Sequence, residues 1–154
     1  MDIADWLDPV SVGFKVNAAN KRQALAAAAE IAARALGQQS EVLLNALLNR
    51  EAEGSTGVGA GVAAPHAQIE GLDRMRAVFV RLEKPIDFGS LDEQPVDLMF
   101  VLFAPKGAVS EHLRALARVS RLMRQGGLRE RLRQARSADA LYALLSTAAK
   151  PSAA

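Results

Sequence analysis

"PVDLMFVLFAP", residues Pro95–Pro105, is an apolar run held between two prolines. Such a run reads as a strand buried on both faces of a sheet, and by pattern alone a buried helix stays open. Its surroundings bear on the choice. "RAVFVRL" (Arg76–Leu82) alternates, with Val78, Val80 and Leu82 on one face and Ala77 and Phe79 on the other. "VSVGFKV" (Val10–Val16) alternates apolar and polar with the two-residue period of a half-buried strand. Helical patterns lie between and beyond. "NKRQALAAAAEIAARALG" has an N-cap at Asn20, a capping-box partner at Gln23 and a stop at Gly37. A second helix is expected after Ser40, burying Val42, Leu43, Leu47 and Leu48, carrying Arg50 and Glu51 near its end and stopping at Gly54. "EHLRALARVSRLMRQ" is expected to follow a Ser110 cap, with Leu113, Leu116, Ala117 and Met123 on one side and Arg114, Arg118 and Arg121 on the other. Gly126 and Gly127 break it, and two amphipathic helices follow, the last capped by Ser137. Strands interleaved with helices predict an α/β domain with helices on the faces of the sheet.

Composition limits what such a domain can do. The 154 residues are 50% hydrophobic and 23% charged, the profile of one globular domain with a real core. The domain is expected over 1–150, with a mobile tail at 151–154. There is no cysteine, so disulfides, thiolate metal sites and cysteine nucleophiles are excluded. The start, "MDIADWLDPV", has neither the basic nor the apolar region of a signal peptide. The apolar runs fall short of the roughly 18 residues of a membrane span. A cytoplasmic protein without membrane insertion is the expectation. A net charge of +2 is too small to indicate nucleic acid.

Chemistry gathers in "GSTGVGAGVAAPH", Gly54–His66. The stretch lacks the lysine of a P-loop, and Val62 stands where a dinucleotide fingerprint needs its third glycine. No G-x-S-x-G elbow is present. What remains is a glycine-rich segment whose free N–H groups and small hydroxyls can surround an anion, with Ser55, Thr56, Gly57 and Gly59 as the candidate phosphate contacts. Pro65 fixes its own φ and biases Ala64 to extended backbone, so His66 can be presented rigidly; a plain turn with a surface histidine is the alternative. The second histidine, His112, falls in the first turn of a helix, where it is either solvated or faces a negative charge. Two histidines without a ligand cluster support a metal site weakly, and no metal or cofactor is expected. A neutral imidazole is a nucleophile near pH 7, and phosphoryl transfer needs mainly positioning and charge stabilisation. Arg50 can supply the cation.

"NREAEGSTGVGAGVAAPH" resembles the signature around the phosphorylated histidine in the fructose/mannitol/nitrogen-regulatory class of enzyme IIA of the phosphoenolpyruvate-dependent phosphotransferase system. The resemblance continues through "LEKPIDFGSLDEQPVDLMFVLFAP", "EHLRALARVSRLMR" and "SADALYALL", and the later segments look most like the nitrogen-regulatory branch. It implies a mixed β-sheet flanked by α-helices in a single domain. It implies that His66 accepts phosphate on Nε2 from a small HPr-like phosphocarrier protein, its Nδ1 held by a hydrogen bond. Arg50 matches the family's arginine beside the active site, and His112 its second histidine, which orients or neutralises the phosphoryl group. Ser55 and Thr56 match loop residues that line the site. The chain departs from the family pattern at Ala64, where a bulkier aliphatic residue is usual, at Ala60, where Asn is common, and at the "HAQ" after Pro65.

Three functions are therefore open. One is a phosphorelay protein of the nitrogen-regulatory kind, whose two charge states bind different regulatory target proteins, with room for a weak homodimer. Another is a sugar-transport enzyme IIA that passes phosphate to an enzyme IIB. The last is an interaction module that is never phosphorylated, for which Arg114, Arg118, Arg121, Arg124, Arg129, Arg131, Arg133 and Arg136 are the surface; a solvated helix face is the plain alternative. Met75, Phe88 and Leu91 are either a small apolar docking rim or core.

Overall fold

The run that opens the sequence reading is a strand, β6 (Val96–Pro105), and it is the middle of the sheet. The structure is a computed structural model and describes residues 3–148; the tail expected at 151–154 lies outside the described residues. Antiparallel to β6 runs β5 (Arg76–Ile86), in a register that sets Val78 against Val101 and Val80 against Met99. β1 (Leu7–Val16) lies parallel on the far side of β5. The other edge of β6 is shared by two short parallel strands in succession, β3 (Val62–Ala63) and β4 (His66–Ile69). β2 (Gly57–Gly59) closes a hairpin onto β3. The sheet is mixed, in the order β1-β5-β6-β3-β2 with β4 also on β6.

Burial follows from the pleat. Leu98, Phe100, Leu102 and Ala104 point to one side of β6 and Met99, Val101 and Phe103 to the other, and all are buried. The first set packs under α1 (Ile3–Trp6), α4 (Val109–Met123), α5 (Gly126–Gln134) and α6 (Ala138–Ala148). The second packs under α2 (Lys21–Leu36) and α3 (Ser40–Ala52). Helices on both faces explain why the run carries no polar alternation. Among the described residues no helix is long and apolar enough to cross a membrane.

α2 has the caps expected of it. Asn20 Oδ1 accepts from the Gln23 N–H at 2.9 Å, and Gly37 ends the helix in the left-handed region at φ 67°. The Gln23 side chain reaches back to the N–H of Ala19, at 2.8 Å. α3 buries Leu43 and Leu47, whereas Val42 is exposed and Leu48 only half-buried. α4 differs more. Ser110 lies inside the helix, and Ala108 takes the N-cap without a side-chain bond. The buried stripe is His112, Ala115, Val119, Leu122 and Met123; Leu113 is 63% exposed and Ala117 is exposed. A histidine starts the stripe, so a count of apolar residues puts the helix in the wrong rotation. The glycine pair opens α5 rather than ending α4, which closes at Arg124. Ser137 does cap α6, accepting from the Ala140 N–H at 3.0 Å.

Candidate functional site

The strand on the free edge of β6 breaks at Ala64 and Pro65, between β3 and β4. Pro65 has no N–H to give, but its carbonyl accepts from Leu102 N at 2.9 Å, so the chain stays docked through the break. His66 opens β4 just beyond it. Its ring makes two bonds. Nε2 lies 3.1 Å from Arg50 Nε, and Nδ1 lies 2.9 Å from the Ala64 carbonyl. A guanidinium can only donate and a carbonyl can only accept. The neutral ring therefore carries its proton on Nδ1 and turns the Nε2 lone pair to Arg50.

Arg50 stands in the last turn of α3, with Nη1 donating to the Gly54 carbonyl at 2.9 Å. That second bond fixes the plane in which Nε reaches His66. From the opposite face of the sheet α4 brings His112, its ring edge-on to His66 with centroids 5.0 Å apart. His112 is only 7% exposed, and its Nε2 has no hydrogen-bond partner among the described residues. The solvated first-turn reading of this residue is thus corrected. These residues line an open cleft of about 640 Å³, completed by Asn49, Glu53 and Gln68.

Burial holds the His66 imidazole below its ordinary pKa, and the Arg50 charge adds to that; the bond to Ala64 and the carboxylates of Glu51 and Glu53 act the other way. Burial and the neighbouring His66 bring His112 down to about 4. Both rings are neutral at pH 7. The cleft thus offers a nucleophilic nitrogen, a guanidinium and an unpartnered imidazole nitrogen around one space, an arrangement able to accept an oxyanion group at His66.

Behind the cleft lies a support that the sequence reading passed over. The Glu51 carboxylate accepts from Lys21 Nζ at 2.9 Å, from Thr56 N at 3.2 Å and from the Thr56 hydroxyl. It ties α2, α3 and the turn after Gly54 together beside Arg50. Its signal was its spacing: Glu51 continues the buried row Leu43, Leu47 at four-residue intervals, a carboxylate where an apolar residue is due.

The glycine stretch is not an open loop around His66. Ser55 Oγ donates to the Phe88 carbonyl at 2.7 Å and accepts from Gly57 N at 3.1 Å, and Thr56 is held by Glu51. Gly57 and Gly59 lie in the hairpin and face a different cavity. A Cβ on Gly57 would come within 2.0 Å of Ser90 Oγ, so close packing demands that glycine. The structure brings His66, Arg50 and His112 together and leaves Ser55, Thr56, Gly57 and Gly59 off their cleft. Met75 and Phe88 are core; Leu91 is fully exposed, away from the cleft. Among the described residues no group of three or more His, Asp or Glu is placed to hold a metal ion.

Residues 6–148 match the family model described as "Phosphoenolpyruvate-dependent sugar phosphotransferase system, EIIA 2". A nitrogen regulatory protein of Bradyrhizobium diazoefficiens is 45% identical over 148 residues, covering 95% of each chain. Among solved structures, the nitrogen regulatory protein IIA-Ntr of Neisseria meningitidis superposes with a TM-score of 0.86 at 30% identity, over 93% of this chain and 98% of that one. IIA mannitol of Escherichia coli superposes with a TM-score of 0.74 at 25% identity, over 90% and 97%.

Proposed function

The chain belongs to the phosphoenolpyruvate-dependent sugar phosphotransferase system EIIA 2 family, and from that premise we propose that it is a cytoplasmic phosphorelay protein of the nitrogen-regulatory kind. His66 accepts a phosphoryl group from the phosphohistidine of an HPr-like carrier. The Nε2 lone pair forms the new N–P bond as the carrier's N–P bond breaks, and the carrier's imidazole leaves with the electron pair. The proton stays on Nδ1 throughout, donated to the Ala64 carbonyl.

One observation carries this reading: the bonds to Ala64 and Arg50 set the His66 lone pair toward the cleft, next to a buried His112 nitrogen that lacks a partner. Arg50 gives up its bond to Nε2 and donates instead to the incoming phosphoryl oxygens. Neutral His112, in the tautomer with its proton on Nε2, donates to the same group. The added charge of a phosphohistidine then changes which regulatory proteins the cleft surface binds. By superposition the chain is nearer to the nitrogen regulatory IIA-Ntr, at 30% identity and a TM-score of 0.86, than to IIA mannitol, at 25% and 0.74, which favours regulation over sugar transport.

The test is intact mass after incubation with phosphoenolpyruvate, enzyme I and an HPr-like carrier. Wild type should gain an acid-labile phosphate of about 80 Da, and His66→Ala should gain none. Arg50→Lys should slow the gain about 10²-fold, as loss of a positioned donor does elsewhere. Rapid discharge of the phosphoprotein by an enzyme IIB would move the assignment to sugar transport. No gain with any competent carrier would end it.

A further inference from the structure

A second cavity, of about 410 Å³, opens where the β2–β3 hairpin, the segment between β5 and β6, and the junction of α4 with α5 meet. It shares no lining residue with the histidine cleft. From His112 to Arg124 is twelve residues of helix, about 18 Å at 1.5 Å per residue. Leu91, 100% exposed, and Val58, 50% exposed, stand at the opening, with Met123 buried behind them. Together they make an apolar patch in one concavity, rimmed by Asp92, Arg124 and Arg129, and such a rimmed patch suits a contact surface.

The opposite wall is basic. Arg129 is anchored by a bond from Nη1 to the Met123 carbonyl at 2.8 Å. Arg124 lines the cavity with no side-chain hydrogen bond or ion pair to another described residue. Between Glu111 and Arg136 the chain has eight arginines and two glutamates, a charge of +6 in a protein whose total is +2. One carboxylate, Asp92, is also in the lining, but its oxygens already accept from Ala60 N at 2.9 Å and Gln94 N at 3.1 Å, which pins the rim to the hairpin.

We propose that this cavity is a docking site for an acidic protein segment bearing one apolar side chain. The apolar group seats between Leu91, Val58 and Met123, and the flanking carboxylates meet Arg124 and Arg129. Charge complementarity selects this occupant, and the site does not depend on the chemistry of His66.

Random peptides displayed on phage and panned on the intact protein test this. The recovered peptides should carry Asp or Glu around a Leu, Ile or Phe. Synthetic copies should bind wild type and His66→Ala alike, and weaken with added salt. Arg124→Glu should cost about tenfold in affinity, and Leu91→Ser should also weaken binding. Both positions are exposed, and thermal melts will confirm that the variants fold. A neutral or basic consensus, no consensus, or binding untouched by both variants would overturn the proposal. So would loss of binding in His66→Ala, which puts the peptides in the histidine cleft. Displacement by a random-sequence oligonucleotide would do the same, marking a nucleic-acid surface.

Discussion

His112 holds its Nε2 in a buried space without a partner, and its pKa is brought down to about 4 from 6.5. In the unfolded chain the same imidazole takes up a proton near its ordinary value. As pH falls below 6.5, the unfolded state therefore binds more protons than the native one, and stability drops until about pH 4. His66, also lowered, adds in the same direction. Urea midpoints at pH 7.5 and 5.0 should show a clear acid loss in wild type and a smaller one in His112→Gln; equal losses would mean that His112 does not titrate as its burial requires. His66 stood out in the sequence as one of two histidines in the chain, set behind Pro65 in the glycine-rich stretch, and Arg50 as a cation near the end of the helix before it. The burial of His112 was not legible, since a polar residue at the head of an apolar stripe breaks the pattern used to find the stripe. Glu51 was missed for the same reason.

In the hairpin turn three successive residues take positive φ: Gly59 at 95°, Ala60 at 58° and Gly61 at 80°. Only Ala60 has a Cβ to crowd the carbonyl, at about 1 kcal/mol. Asparagine tolerates this conformation through its own local bonding. Ala60→Asn should therefore raise unfolding free energy by about 0.5–1 kcal/mol, read from urea melts, and a loss would show that the turn is set by something other than backbone strain. Elsewhere a helix end depends on one strand residue. Arg81, buried in β5, donates from Nη1 to the carbonyls of Leu132, Arg133 and Ala135 at 3.2, 3.0 and 2.7 Å, and stacks 4.6 Å from the Phe14 ring. Arg81→Met should cost about 3 kcal/mol, since it takes the side-chain donor from the Arg133 and Ala135 carbonyls at the end of α5 in a part-buried setting. If a melt shows less than about 1 kcal/mol, water serves those carbonyls as well. α2 and α6 were legible from their caps and α3, α4 and α5 from periodicity, whereas α1 was not. The rotation of α4 and the hairpin within the glycine stretch were not, because both are set by packing against distant residues, Gly57 against Ser90 among them.

At the scale of the whole molecule, β5 and β6 belong to two cores at once. Phe79 and Phe100 meet edge to face, centroids 6.0 Å apart, on the side of α4–α6, while Val101 and Phe103 fill the side of α2 and α3. That both faces of β6 are buried was readable in its uninterrupted apolar run; strand order was not, because hydrophobicity does not say which edge pairs with which. The shared strands couple the two layers. The candidate site straddles them, taking Arg50 from α3, His112 from α4 and His66 from the sheet edge between. Neither core can loosen alone without parting these residues. Phe100→Ala and Phe103→Ala, on opposite faces, should each cost about 3–5 kcal/mol through the cavity they leave. Hydrogen exchange should then quicken in α2–α3 and α4–α6 together in either variant, as in one cooperative unit. Phosphate acceptance at His66 should fall in parallel with the folded fraction in both. If Phe103→Ala released α2 and α3 while α4–α6 kept their protection, the two faces would be separate units, and the site would be held together by its own hydrogen bonds rather than by the sheet beneath it.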